Sequence, residues 1–251
     1  MTLTDVVALL VIAALTISLG LRLFKGKWWS TSKALLASQT LVLILFVISL
    51  SWTYPALDRA MGQRNYLNLG MHLVYVAASW IYTTVVAAPL AAAGRRPVVL
   101  RPWVPVVAAA GVTSTFFLMG ADSTTSRGLE DFVGGPAWTG YLLSTHMCLW
   151  VPAFSLVPWL LNLLKSTPLR GLRFTYCALL VGYGGSVAAM GGYVLNSFAP
   201  HTIVVRESLI LLTAMGIILA LISISVSSHQ QAAQYRARQQ AQAEAARSFQ
   251  H

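Results

Sequence analysis

Chemistry in this chain of 251 residues would fall to polar side chains set within long apolar stretches. His72 and His146 each lie about two turns below the expected outer end of a helix. Glu207 lies about one turn into the last helix, and Asn68 and Asn196 stand at the same outer level. Imidazole can bind a ligand, relay a proton or accept a metal, a carboxylate can exchange protons with it, and amides both donate and accept. Ionisable groups inside apolar helices are costly, so these five are the candidate ligand-binding or proton-relay residues. They form one pocket only if they face the interior of a bundle. Otherwise they serve interhelical hydrogen bonding, which fixes packing and nothing more.

No other chemistry has a matching pattern. There is no HExxH, paired CxxC or calcium-loop spacing, so no metal site is expected. The GxSxG elbow, phosphate loop, dinucleotide fingerprint and kinase signature are also missing, and no catalytic residue or cofactor is expected. A dispersed acid/base set of Asp58, His72 and Glu207 comes nearest to a catalytic arrangement. Lys25, Lys27, Lys33 and Lys165 all lie towards the inner side, which disfavours a retinal Schiff base in the last helix.

The elements that must position these groups follow from composition. Charged residues make up 10% of the chain and hydrophobic ones 57%, a balance suited to lipid as solvent. A backbone in lipid must satisfy its own hydrogen bonds, and the apolar stretches lack strand-like alternation, so helices are expected. The fold class is an all-α bundle of seven transmembrane helices, at roughly 4–24, 34–54, 66–92, 103–121, 137–163, 173–197 and 203–228. Residues 1–228 form this domain, and 229–251, rich in Gln, Ala and Arg, form a helical or disordered cytoplasmic tail.

Charge sorting orients the bundle. Arg22, Lys25, Lys27, Lys33, Arg95, Arg96, Arg101, Lys165, Arg170, Arg173, Arg236, Arg238 and Arg247 fall on one side with the single acid Glu244. Arg59, Arg64, Arg127 and Arg206 fall on the other with six acids. The positive-inside rule then puts the N-terminus outside and the C-terminus in the cytoplasm of a multi-pass cell-membrane protein. The first span lacks a basic n-region, so it reads as a retained helix and not a secretory signal. A formal charge of +10 dispersed over short loops excludes a nucleic-acid patch, and direct nucleic-acid binding is not expected.

Two spans carry backbone signals. Pro152 and Pro158 predict a kink in the fifth, and small residues from Gly182 to Gly192 predict close packing of the sixth, with Gly184, Ala188 and Gly192 on one face. Cys148 and Cys177 lie at different depths and are not expected to pair.

The segment DRAMGQRNYLNLGMH, Asp58 to His72, resembles a family of actinobacterial integral-membrane, transporter-like proteins often encoded beside helix-turn-helix regulators. In that family an Asp-Arg pair, a Gly, an Asn and a downstream His recur at similar spacing, here Asp58, Arg59, Gly62, Asn65 and His72. The resemblance implies a structural polar motif at Asp58, Arg59, Gly62 and Asn65. Adjacent residues rarely face each other, so Arg59 is expected to pair with Glu130 or Asp131, and Asp58 with Arg64 or the helix start near Asn65. The functional expectation is a non-enzymatic protein among membrane lipids that binds a small molecule, lipid or peptide at its outer half and acts through a cytoplasmic partner. The alternative is a small transporter or channel with proton-exchanging His and Glu residues.

Overall fold

The computed structural model describes residues 3–24, 33–92, 94, 100–123, 126–198 and 208–224. Nine α-helices are described: α1 Leu3–Phe24, α2 Lys33–Ile48, α3 Tyr54–Ala60, α4 Tyr66–Ala92, α5 Trp103–Leu118, α6 Gly135–Thr145, α7 Met147–Ser166, α8 Arg170–Phe198 and α9 Ser208–Ile224. A 3₁₀ helix, Arg127–Phe132, lies between α5 and α6. No strand occurs among the described residues. α4, α7 and α8 are long and apolar enough to cross a membrane, and α1, α2, α5 and α9 contain shorter apolar segments. The tail 229–251 and Glu207 lie outside the described residues.

Two buried clusters hold the helices together. One gathers Leu15, Leu35, Tyr82, Leu156, Tyr183 and Leu221 from α1, α2, α4, α7, α8 and α9. The other, built on Val76, Ala108, Phe116, Trp138 and Tyr141, joins α4, α5 and α6. Polar ties run between the same helices. The Gln39 amide donates to the Ser18 hydroxyl at 3.1 Å, and the Ser38 hydroxyl donates to the Ala78 carbonyl at 3.0 Å. The Asp5 carboxylate accepts the Ser51 N–H at 3.0 Å and its hydroxyl at 2.9 Å. That contact fastens the start of α1 to the turn after α2. The buried Arg22 guanidinium donates to the Leu221 carbonyl at 3.4 Å, bringing the end of α1 beside α9.

The helices depart from the expected spans in three places. α2 ends at Ile48 and the chain turns into the separate α3, so 34–54 is not one helix. The fifth expected span is broken at His146, whose φ of −94° and ψ of 5° end α6 and begin α7. Pro152 contributes in a different way. Lacking an N–H, it cannot bond the Cys148 carbonyl one turn back. The Thr83 hydroxyl donates to that carbonyl at 3.0 Å, and the Tyr183 hydroxyl donates in turn to Thr83 at 3.0 Å. A proline in α7 thus sets a polar contact among α4, α7 and α8. The third departure is the packing face of α8. A Cβ on Gly184 would meet open space and Ala188 is exposed, whereas a Cβ on Gly182 would lie 2.9 Å from Ile217 and one on Gly185 2.8 Å from the Thr213 hydroxyl. A Cβ on Gly216 of α9 would strike the Gly182 backbone. The close approach is therefore Gly182 against Gly216 and Gly185 against Thr213, and not along the expected stripe.

Candidate functional site

The Asp58–His72 segment is built around its backbone. α3 closes in a Schellman arrangement: the Gly62 N–H bonds the Arg59 carbonyl at 3.2 Å and the Gln63 N–H bonds the Asp58 carbonyl at 2.9 Å. Gly62, at φ +90°, takes the left-handed position that a Cβ would strain. Asn65, at φ +53°, adopts the same region as a residue that tolerates it. Its side chain is fully buried. Oδ1 accepts the Ser126 N–H at 2.7 Å, and Nδ2 donates to the Ala121 carbonyl at 2.8 Å. The Tyr54 hydroxyl reaches the same Oδ1 at 3.4 Å. Asn68, three residues on, donates to the Ser126 carbonyl at 3.3 Å. The two asparagines bind the start of α4 to the segment after α5, and Asn68 is a structural tie in the described structure.

The expected charge pairs take another form. Asp58 is fully buried, while Arg59 and Arg64 are exposed and enter no ion pair among the described residues. Asp131 is exposed too, and its backbone N–H donates to the Ser126 hydroxyl at 3.1 Å. Hydration serves the exposed arginines at no cost in side-chain ordering, and full burial distinguishes Asp58 from them.

His72 and His146, separated by 74 positions, line one cavity of about 440 Å³. α2 supplies Val42, Leu45 and Phe46, the turn after it Ser49, and α4 supplies Met71, His72 and Tyr75. Thr145 and His146 come from the α6–α7 break, and Ile210 from α9. At the break the His146 N–H still bonds the Leu142 carbonyl at 3.1 Å, and its carbonyl accepts the N–H groups of Leu149 and Trp150 at 2.9 and 3.2 Å. Across the break the Trp150 indole N–H donates to the Leu143 carbonyl at 2.9 Å.

The polar atoms of the lining are mostly engaged. The Ser49 and Thr145 hydroxyls donate to the carbonyls of Phe46 and Tyr141, at 2.9 and 2.8 Å. His72 Nδ1 lies 2.8 Å from the Asn68 carbonyl, and His146 Nδ1 lies 3.1 Å from the Tyr75 hydroxyl. Rings support both imidazoles edge-on: Tyr141 against His72 at 5.1 Å and Tyr75 against His146 at 5.2 Å between centroids. Tyr193 of α8 packs on His146 at 5.6 Å. No charged side chain lines the cavity among the described residues. No group of three or more His, Cys, Asp or Glu suited to a metal occurs among them either.

A second cavity of about 80 Å³ shares Val42, Phe46 and Tyr75 with the first and runs on past Ala78 and Tyr82 to Leu221. The hydroxyl of Tyr82, a fully buried ring, has no hydrogen-bond partner among the described residues. Sequence reasoning passed over Tyr75, Tyr82, Tyr141 and Tyr193, because an aromatic ring in a helix ordinarily signals packing and nothing in their spacing joins them. Asn196 falls within α8, but its side chain, like Glu207, lies outside the described residues. Compared with family models, curated proteins and solved structures, the chain matches none.

Proposed function

We propose that this is a seven-span membrane protein, N-terminus outside, that binds a small ligand in its outer half and acts through a cytoplasmic partner. The observation that carries the proposal is the single cavity shared by His72 and His146. Its volume of about 440 Å³ falls in the range of ligand pockets, and its mostly apolar wall with a few fixed polar groups has their usual character. Seven helical lengths, counting α6 and α7 as one, would alternate the chain so that basic loops fall on one side. Membership in the transporter-like family belongs to the same proposal, supported by Gly62 and Asn65 occupying positions where few other residues fit.

The test is a thermal-shift screen of small molecules on protein in detergent, with wild type beside Met71→Trp, which fills the cavity. A saturable stabilisation present in wild type and lost in Met71→Trp supports the reading. Absence of any saturable ligand, together with no cytoplasmic partner in crosslinked cells, removes it.

One observation favours a transporter or channel instead: the deeper cavity extends the outer one inward, and the Tyr82 hydroxyl in its wall is suited to a bound water. Proton flux in reconstituted vesicles, lowered by Tyr82→Phe, would favour that reading; vesicles tight to protons would exclude it.

A further inference from the structure

The hydrogen bonds behind the two imidazoles decide what their front faces can recognise. A carbonyl oxygen can only accept, so His72 Nδ1 must carry the proton it shares with Asn68. In the neutral ring Nε2 is then a bare acceptor. His146 Nδ1 lies 3.1 Å from the Tyr75 phenol, and in the tautomer where the more acidic Tyr75 O–H donates to Nδ1 the ring keeps Nε2–H as a donor. No carboxylate among the described lining residues is present to hold either ring as a cation. The hydroxyls of Ser49 and Thr145 are turned to their own helices. In that tautomer the two imidazoles offer one acceptor and one donor beside an apolar wall, and that wall continues along Val42 and Phe46 into the smaller cavity.

We infer that the cavity takes an uncharged, single-chain amphiphile whose head both donates and accepts, as a primary alcohol does, with its apolar chain following Val42 and Phe46 towards Tyr82. The head donates to His72 Nε2 and accepts from His146 Nε2–H. This rests on the reading of the cavity as a ligand site and names the ligand class. A charged head would have to be buried without a counter-charge among the described residues, at a cost of several kcal/mol.

The experiment uses three photoreactive ten-carbon probes bearing the same diazirine: the alcohol, its methyl ether and the alkane. Each is titrated, as a mole fraction of lipid, into the full chain in nanodiscs, and labelling is read by mass spectrometry. The ether keeps the acceptor and loses the donor; the alkane lacks both. One neutral hydrogen bond corresponds to about fivefold, so the alcohol should half-saturate about fivefold below the ether, and the ether about fivefold below the alkane. His146→Phe should abolish the advantage of ether over alkane. His72→Phe should leave that advantage and abolish the advantage of alcohol over ether. A packing role for the histidines would not split the probes this way, and the series on the unaltered chain stands even if a variant fails to fold. Saturable labelling that is equal for all three probes overturns the ligand class while the cavity remains a binding site. Loss of the ether's advantage in His72→Phe overturns the donor and acceptor assignment. Labelling that never saturates overturns both this inference and the site.

Discussion

At the scale of single residues, Asn65 does most to fix the start of α4. It combines a left-handed backbone, full burial and two side-chain bonds to the segment after α5. Asn65→Ala should cost about 2–4 kcal/mol, because the Ser126 N–H loses its partner and a Cβ-only side chain gains nothing from the left-handed φ. Asn65→Gly loses the same bonds but suits the left-handed φ and should cost less than Asn65→Ala; thermal denaturation in detergent orders the two. Asp58→Ala should lower the melting temperature more than Asp122→Ala, since Asp58 is fully buried and Asp122 only half so. Equal, negligible changes would mean that Asp58 contributes nothing to holding α3. These residues stood out in sequence as polar positions in an apolar chain. Which of them are ties and which line a cavity depended on their neighbours: Asn68 was expected beside His72 in a pocket, yet its amide is engaged at Ser126.

At the scale of elements, two contacts show helices adapting to what one residue lacks. Pro152 leaves the Cys148 carbonyl to Thr83, so Thr83→Val should cost about 1–2 kcal/mol. In a Pro152→Ala background the alanine N–H can take over that carbonyl, and the cost of Thr83→Val should fall. A double-mutant cycle reads the difference, and additive effects would sink the compensation. The α8–α9 crossing makes the second contrast. Gly216→Ala drives a methyl into the Gly182 backbone, which cannot rotate away, and should cost about 1–3 kcal/mol. Gly184→Ala meets open space and should be neutral or stabilising by about 0.5–1 kcal/mol. The glycine-rich run of α8 was plain in the sequence, but the face it uses was not, because glycines at 182, 184 and 185 cover more than one face of a helix.

At the scale of the whole molecule, the proposed topology predicts which ends share a side of the membrane. In a Cys177→Ser background, with Cys148 buried, Asp122→Cys should react with an impermeant maleimide in intact cells, and Lys165→Cys only after permeabilisation. Reaction of both in intact cells would overturn the arrangement. The Asp5–Ser51 and Asn65–Ala121 contacts already gather three of the segments proposed to lie outside.

The helical character of the chain followed from its sequence alone, because a backbone among so many apolar residues has few other ways to satisfy its hydrogen bonds. The stretch 66–92 was legible to the residue for the same reason: it coincides with α4, bounded by the polar turn before Tyr66 and followed in the sequence by Gly94, Arg95 and Arg96. Tertiary structure decided the rest. It ended α6 and began α7 at His146, where no proline stands, and it set that ring on the wall already holding His72. Helical periodicity gives each side chain a direction relative to its own axis, but the rotation of one helix against another is set by packing over the whole bundle. The meeting of two histidines 74 positions apart depends on that rotation, which no local pattern encodes.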